Sequence, residues 1–177
     1  NDAFKGLLHD VFAFIMLQEM LARTLGCEPG RYKHAVGSLH LYDVDEVKAR
    51  QYVAEGWQPT QAVSMPAMPP GDPWPSIHWL LGVEAAIRGG KNIDLTCDGI
   101  DPYWSDLARL LKIFKYGKEA GQQSSISKLR RNMSSRIFDT YIHKKQEAQR
   151  VISTPEQMNL PVEPSDSTNE SSGYSKK

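Results

Sequence analysis

The 177-residue sequence predicts an α+β fold. Three observations point there: helical periodicity over most of the chain, one strand-like alternation near its start, and turn signals separating the two. The first helix is read over residues 10–25, DVFAFIMLQEMLARTL. It is apolar on nearly every side at first and then on one face, which predicts a largely buried element. Gly26 follows as the residue that best accepts a left-handed helix end. After the turn signal Glu28-Pro29-Gly30, residues 31–42, RYKHAVGSLHLY, alternate. A strand there places Tyr32, His34, Val36, Ser38, His40 and Tyr42 on one unusually polar face. Asp43 and Glu46 form a capping-box variant for a second helix, with Val44, Val47, Tyr52 and Val53 as its apolar stripe and Gly56 as its stop.

Six of the eleven prolines fall between Trp57 and Ser76, which predicts an extended connector over 57–76. Beyond it the texture changes to helices. Ile77 to Arg88 is helical with Gly89-Gly90 as its stop, and Asp101-Pro102 pairs an N-cap with a proline at the first helical position. Tyr103, Trp104, Leu107, Leu110, Leu111 and Phe114 then recur at helical spacing. Ser124 to Arg150 reads as one amphipathic helix whose apolar stripe is Ile126, Leu129, Met133, Ile137 and Tyr141. Lys128, Arg130, Arg131, Arg136, Lys144 and Lys145 occupy its other positions and read as a solvated face in preference to a phosphate or nucleic-acid contact. The tail over 151–177 is rich in Ser, Pro, Glu, Asn and Lys, which predicts disorder. The four tryptophans, Trp57, Trp74, Trp79 and Trp104, are expected in packing roles.

Composition narrows the function. The 21 acidic and 21 basic residues cancel, so no global field draws the chain to nucleic acid or to anionic membrane. The longest apolar run, Val11 to Leu17, is far short of a membrane span. Cys27 and Cys97 stand seventy residues apart without a CxxC pair, and His34, His78 and His143 have no ligand spacing. Neither a disulfide framework nor a metal is expected, and the setting is read as cytoplasmic.

The residues that carry chemistry lie in the first 42. Asn1, Asp2, Asp10, His40 and Tyr42 are polar groups set against apolar elements, and buried polar groups need partners. The order NDAFKGLLHDVFAF followed some thirty residues later by Gly37-Ser38-Leu39-His40-Leu41-Tyr42 resembles the thymidylate synthase family over residues 1–56. The likeness runs from that family's Arg-Ser-Asn-Asp motif, through its Gly-Leu-Pro-Phe-Asn helix start, to its His-x-Tyr strand. It implies the C-terminal part of a layered sheet-and-helix core, here with an added helical segment over 77–150. It also implies a homodimer that binds a pyrimidine nucleotide and 5,10-methylenetetrahydrofolate. Asn1 falls at the variable third position of the opening motif among the substrate-binding residues. Asp2 and Gly6 would stand on the folate side, Asp10 would read the base, and His40 and Tyr42 would hold the 3′-hydroxyl of the sugar. Lys5, Leu8 and His9 depart from the family pattern.

Asp10 is the informative departure, because the family normally places Asn there. A carboxamide donates to uracil O4 and accepts from N3–H, whereas a carboxylate cannot donate. Cytosine presents the complementary edge, an N4 amino donor beside an N3 acceptor, and the family's deoxycytidylate hydroxymethylases carry Asp at this place. Capping of the first helix is the competing role for His9 and Asp10. The implied chemistry is transfer of a one-carbon unit from methylenetetrahydrofolate to C5 of the pyrimidine, begun by a cysteine thiolate adding to C6. Cys27 and Cys97 do not match that nucleophile, which the resemblance places upstream of Asn1. This chain alone is therefore expected to be inactive. A non-catalytic paralogue or interaction subunit that keeps the nucleotide-binding elements is the alternative.

Overall fold

The computed structural model describes residues 1–56, 64–95 and 99–152. Among these, 60 % are helical, 1 % are in strand, and no sheet forms. The expected α+β sheet-and-helix core is thus corrected to a helical architecture. Its α-helices among the described residues are α1 (Gly6–Thr24), α2 (Glu46–Ala54), α3 (Trp74–Arg88), α4 (Pro102–Tyr116), α5 (Gln123–Arg131) and α6 (Asp139–Ile152). Short 3-10 turns at Asp43–Asp45 and Arg136–Phe138 precede α2 and α6.

The physical reason for the correction lies in residues 31–42. A strand must give its N–H and C=O groups to a neighbour, and no second strand pairs with this one among the described residues. The segment is irregular, bends at Gly37, and makes one isolated parallel bridge, between His40 and Asp2. Its alternation persists only in burial and only over residues 31–36, with 37–42 all exposed. Tyr32, His34 and Val36 are half-buried while Arg31, Lys33 and Ala35 are exposed.

Helix α1 begins at Gly6, four residues before the expected start, so Asp10 lies inside the helix. Capping is done by Asp2, whose carboxylate accepts from the N–H groups of Phe4, Lys5 and Gly6 at 3.0, 3.2 and 3.4 Å. The helix ends as expected at Gly26, with φ 66°. There the Cys27 N–H reaches the Ala22 carbonyl at 2.9 Å and the Gly26 N–H reaches Arg23 at 3.2 Å. The expectation of a largely buried helix does not hold. Phe12 and Phe14 are 56 % and 52 % exposed, and Ala22 is the buried residue of the helix. Its inward contacts come from the second half, where Met16 and Met20 pack on Met68, Tyr103 and Trp104. Glu19 accepts the Met68 N–H at 2.7 Å, and Arg23 Nε donates to the Met68 carbonyl at 3.1 Å. These two bonds clasp the proline-rich segment to α1.

Around α2 two expectations are corrected. Neither Asp43 nor Glu46 makes a capping bond, and the stripe of Val44, Val47, Tyr52 and Val53 is exposed. Asp45 is the residue that turns inward, 3 % exposed, where Lys5 Nζ meets it at 2.6 Å.

The core assembles on α4. Its start follows the sequence reading: the Asp101 carboxylate accepts the Tyr103 N–H at 2.8 Å, with Pro102 at the first helical position. Helix α3 starts at Trp74, inside the expected connector, with Pro75 in its first turn. Val83 and Ile87 of α3 pack on Leu95 and Ala108, while Tyr103 and Trp104 pack on Met68. Ile113 of α4, Ile126 of α5 and Ile142 of α6 form a third, fully buried cluster. Each such isoleucine contributes about 2 kcal/mol of transfer free energy.

The single helix expected over 124–150 is broken after Arg131. Asp106, 2 % exposed on α4, accepts the N–H groups of Ser134 and Ser135 at 3.0 and 2.9 Å, and Ser135 Oγ accepts the Ile137 N–H. The break lets α5 and α6 each turn an isoleucine onto Ile113. Trp104 is core and Trp79 packs on it in part, whereas Trp74 is 40 % exposed. Trp57, Cys97 and the tail from residue 153 lie outside the described residues. No helix among the described residues is long and apolar enough to cross a membrane.

Candidate functional site

The opening segment folds back along residues 38–40. The Asn1 backbone nitrogen donates to the Ser38 carbonyl, the His40 N–H donates to the Asn1 carbonyl at 3.1 Å, and the Ala3 N–H donates to the His40 carbonyl at 2.7 Å. This register brings the Asn1 side chain over the first turns of α1. There its Nδ2 lies 3.0 Å from Asp10 Oδ2 and 3.4 Å from His34 Nε2. His34 Nδ1 in turn lies 2.7 Å from the Tyr32 hydroxyl.

The chemistry of these groups fixes the direction of the bonds. A carboxylate only accepts, so Asn1 presents its amino group, one hydrogen to Asp10 and the other to His34 Nε2. With Nε2 accepting, the ring hydrogen sits on Nδ1 and points at the Tyr32 oxygen. The Tyr32 hydroxyl hydrogen is then left for an outside acceptor. Asp10 is half-buried, so a group that meets it exchanges solvent for a directed contact.

The site residues expected from sequence are thus partly gathered. Asn1 and Asp10 touch directly, while Asp2 and His40 are joined through the backbone bridge. Tyr42 is reached through the His40 ring, against which it packs edge-on with centroids 5.0 Å apart. Tyr42 also borders an open hollow of about 550 Å³ lined by Leu41, Glu46, Arg50 and Val53. His34 and Tyr32 join the cluster although sequence reasoning does not single them out as site residues. The alternation places both on the His40 face, and that shared face is the available signal.

Asp2 and Gly6 serve the chain itself. The amides of the α1 start hold the Asp2 carboxyl below its ordinary value, Phe4 first and then Lys5 and Gly6, with a smaller contribution from the charge of His40. A Cβ at Gly6 would meet Asn1 Oδ1 at 2.8 Å, so glycine is what lets Asn1 close over the helix. Both residues expected on the folate side are thus engaged in contacts within the chain and are half-buried. Cys27 is exposed beyond Thr24, the last residue of α1, which itself lies about 21 Å along the axis from Asp10. No model of a known protein family matches the chain.

Proposed function

We propose that this chain is the pyrimidine-nucleotide-binding part of a one-carbon transferase of thymidylate synthase type, with the cytosine nucleotide dCMP preferred over dUMP. The observation that carries the reading is the contact between Asn1 and Asp10, closed by the bridge of Asp2 to His40. It brings the Asp10 carboxylate and the residues of the His-x-Tyr segment into one neighbourhood, which supports the reading. The absence of a sheet among the described residues weighs against a wholesale likeness to that family, so the reading rests on this local cluster.

Within the site, Asp10 accepts from the N4 amino group of cytosine, while uracil would turn its O4 acceptor toward the same carboxylate. That mismatch desolvates two acceptors without a donor between them. Asn1 and His34 hold the carboxylate in place, and His40 with Tyr42 serves the sugar hydroxyl. Use of methylenetetrahydrofolate and the homodimer belong to the same proposal through the resemblance alone. The test is titration of the chain with dCMP and dUMP, where dCMP binds about tenfold more tightly and Asp10→Asn removes or inverts that ratio.

A second reading, a nucleotide-binding interaction subunit without chemistry, is favoured by the exposed apolar side chains of α1, Leu8, Phe12, Phe14 and Leu17 among them. Release of tritium from C5-labelled dCMP separates the two. Turnover identifies the transferase, and tight dCMP binding without release identifies the interaction subunit.

A further inference from the structure

The break between α5 and α6 leaves a cleft of about 450 Å³ onto which Arg130, Arg131 and Arg136 converge. One carboxylate, Asp139, stands among them. Its Oδ1 accepts from Arg130 Nε at 3.0 Å, and its Oδ2 forms an ion pair with Arg136 Nη1 at 3.6 Å. Three guanidinium charges against one carboxylate leave the cleft at +3 − 1 = +2. Arg131 bonds through Nε to the Ser127 carbonyl at 3.4 Å, a neutral partner that leaves its charge uncompensated.

Arg130 is also built into place. Its Nη1 donates to Gln146 Oε1 at 3.3 Å, Gln146 Nε2 donates to Ser127 Oγ at 2.9 Å, and Ser127 Oγ donates to the Gln123 carbonyl. This relay ties α5 to α6 and presents one guanidinium with its orientation fixed in advance, which lowers the ordering cost of binding. Arg136, whose side chain is 93 % exposed, can close over a ligand from the opposite side.

We propose that this cleft binds a phosphate monoester. Such a group carries about −1.5 to −2 charges at neutral pH and three acceptor oxygens, so a single one matches both the excess charge and the guanidinium donors. A carboxylate or halide would leave the cleft charged. The negative end of the α5 dipole stabilises arginines at this helix end, which explains their number, but it is small beside two full charges. The site is separate from the Asn1–Asp10 cluster and does not depend on the nucleotide reading.

The test uses the whole chain, titrated with inorganic phosphate at constant ionic strength while the arginine Nε–H resonances are followed by NMR. Saturable movement of the Arg130 resonance is expected, and Arg131→Gln with Arg136→Gln weakens it at least about tenfold. Both substituted side chains are exposed, so the fold is kept, and Lys144→Gln on the outer face of α6 leaves the affinity unchanged. A linear, non-saturating response overturns the proposal, as does equal affinity in the double variant. So does saturable binding by a single-stranded oligonucleotide where inorganic phosphate shows none.

Discussion

At the scale of single residues, carboxylates decide most of what is specific in this protein, and each does so through different partners. Asp2 starts a helix, Asp10 meets an amide, Asp45 takes a lysine, Asp139 gathers two arginines, and none of these roles follows from an isolated Asp in the sequence. Asp139 gives a pH dependence of definite sign. The Arg130 hydrogen bond, followed by the charges of Arg130 and Arg136, holds its carboxyl below the ordinary 3.8. A depressed pKa stabilises the fold above the unfolded value, and that stability is lost as pH falls through the folded value. Comparison of thermal unfolding for wild type and Asp139→Asn therefore shows a gap near neutral pH of about 1 kcal/mol or less, the pair being partly exposed. The gap closes as pH drops below about 3.8. A gap that stays constant across that range would contradict the pairing. Tyr103, pushed up to about 12 chiefly by burial and then by the charge of Glu19, stays a neutral phenol throughout.

At the scale of elements, what could be read and what could not divides by whether the deciding contact is local. Asp101-Pro102 and the glycines after α1 and α3 act within one turn, and the structure places them as read. The break at 132–135 was not legible, because its deciding partner, Asp106, comes from another helix more than twenty residues away. Asp106 is buried and bonded to Arg109 at 2.7 Å as well as to the two serine amides. Asp106→Ala leaves a guanidinium and two amides without their acceptor, so it costs about 3 kcal/mol in denaturant unfolding. Amide exchange then speeds first at Ser134 and Ser135. Asp106→Asn, which keeps one carbonyl acceptor, loses less. Unfolding at wild-type stability in the alanine variant would show that the junction is held by the isoleucine cluster alone.

At the scale of the whole molecule, the sequence misled about layers. A polar alternation over 31–42 reads as a strand, yet alternation specifies only which side faces in, and a sheet also needs a partner to complete its ladder. Without one, residues 31–36 keep alternate burial, residues 37–42 are exposed, and the segment contributes a single bridge, at His40. That bridge also sets Asn1 against Asp10. Of the five residues that the sequence reading expects to bind substrate, Asn1, Asp2, Asp10 and His40 are joined by bonds in the fold. Tyr42 is joined through ring packing. His34 and Tyr32 were hidden because their partner sits on the far side of a turn and a helix.

The central claim is base recognition by Asp10, and the difference between dCMP and dUMP affinity measures it most directly. The phosphate and sugar are common to both nucleotides, so the ratio at this site reports the base edge alone. The expected result is about tenfold preference for dCMP, with resonance shifts at Asn1, Asp10 and His34, and loss or inversion of the preference in Asp10→Asn. Equal affinity for the two nucleotides in the wild-type chain, or a preference untouched by Asp10→Asn, would contradict it.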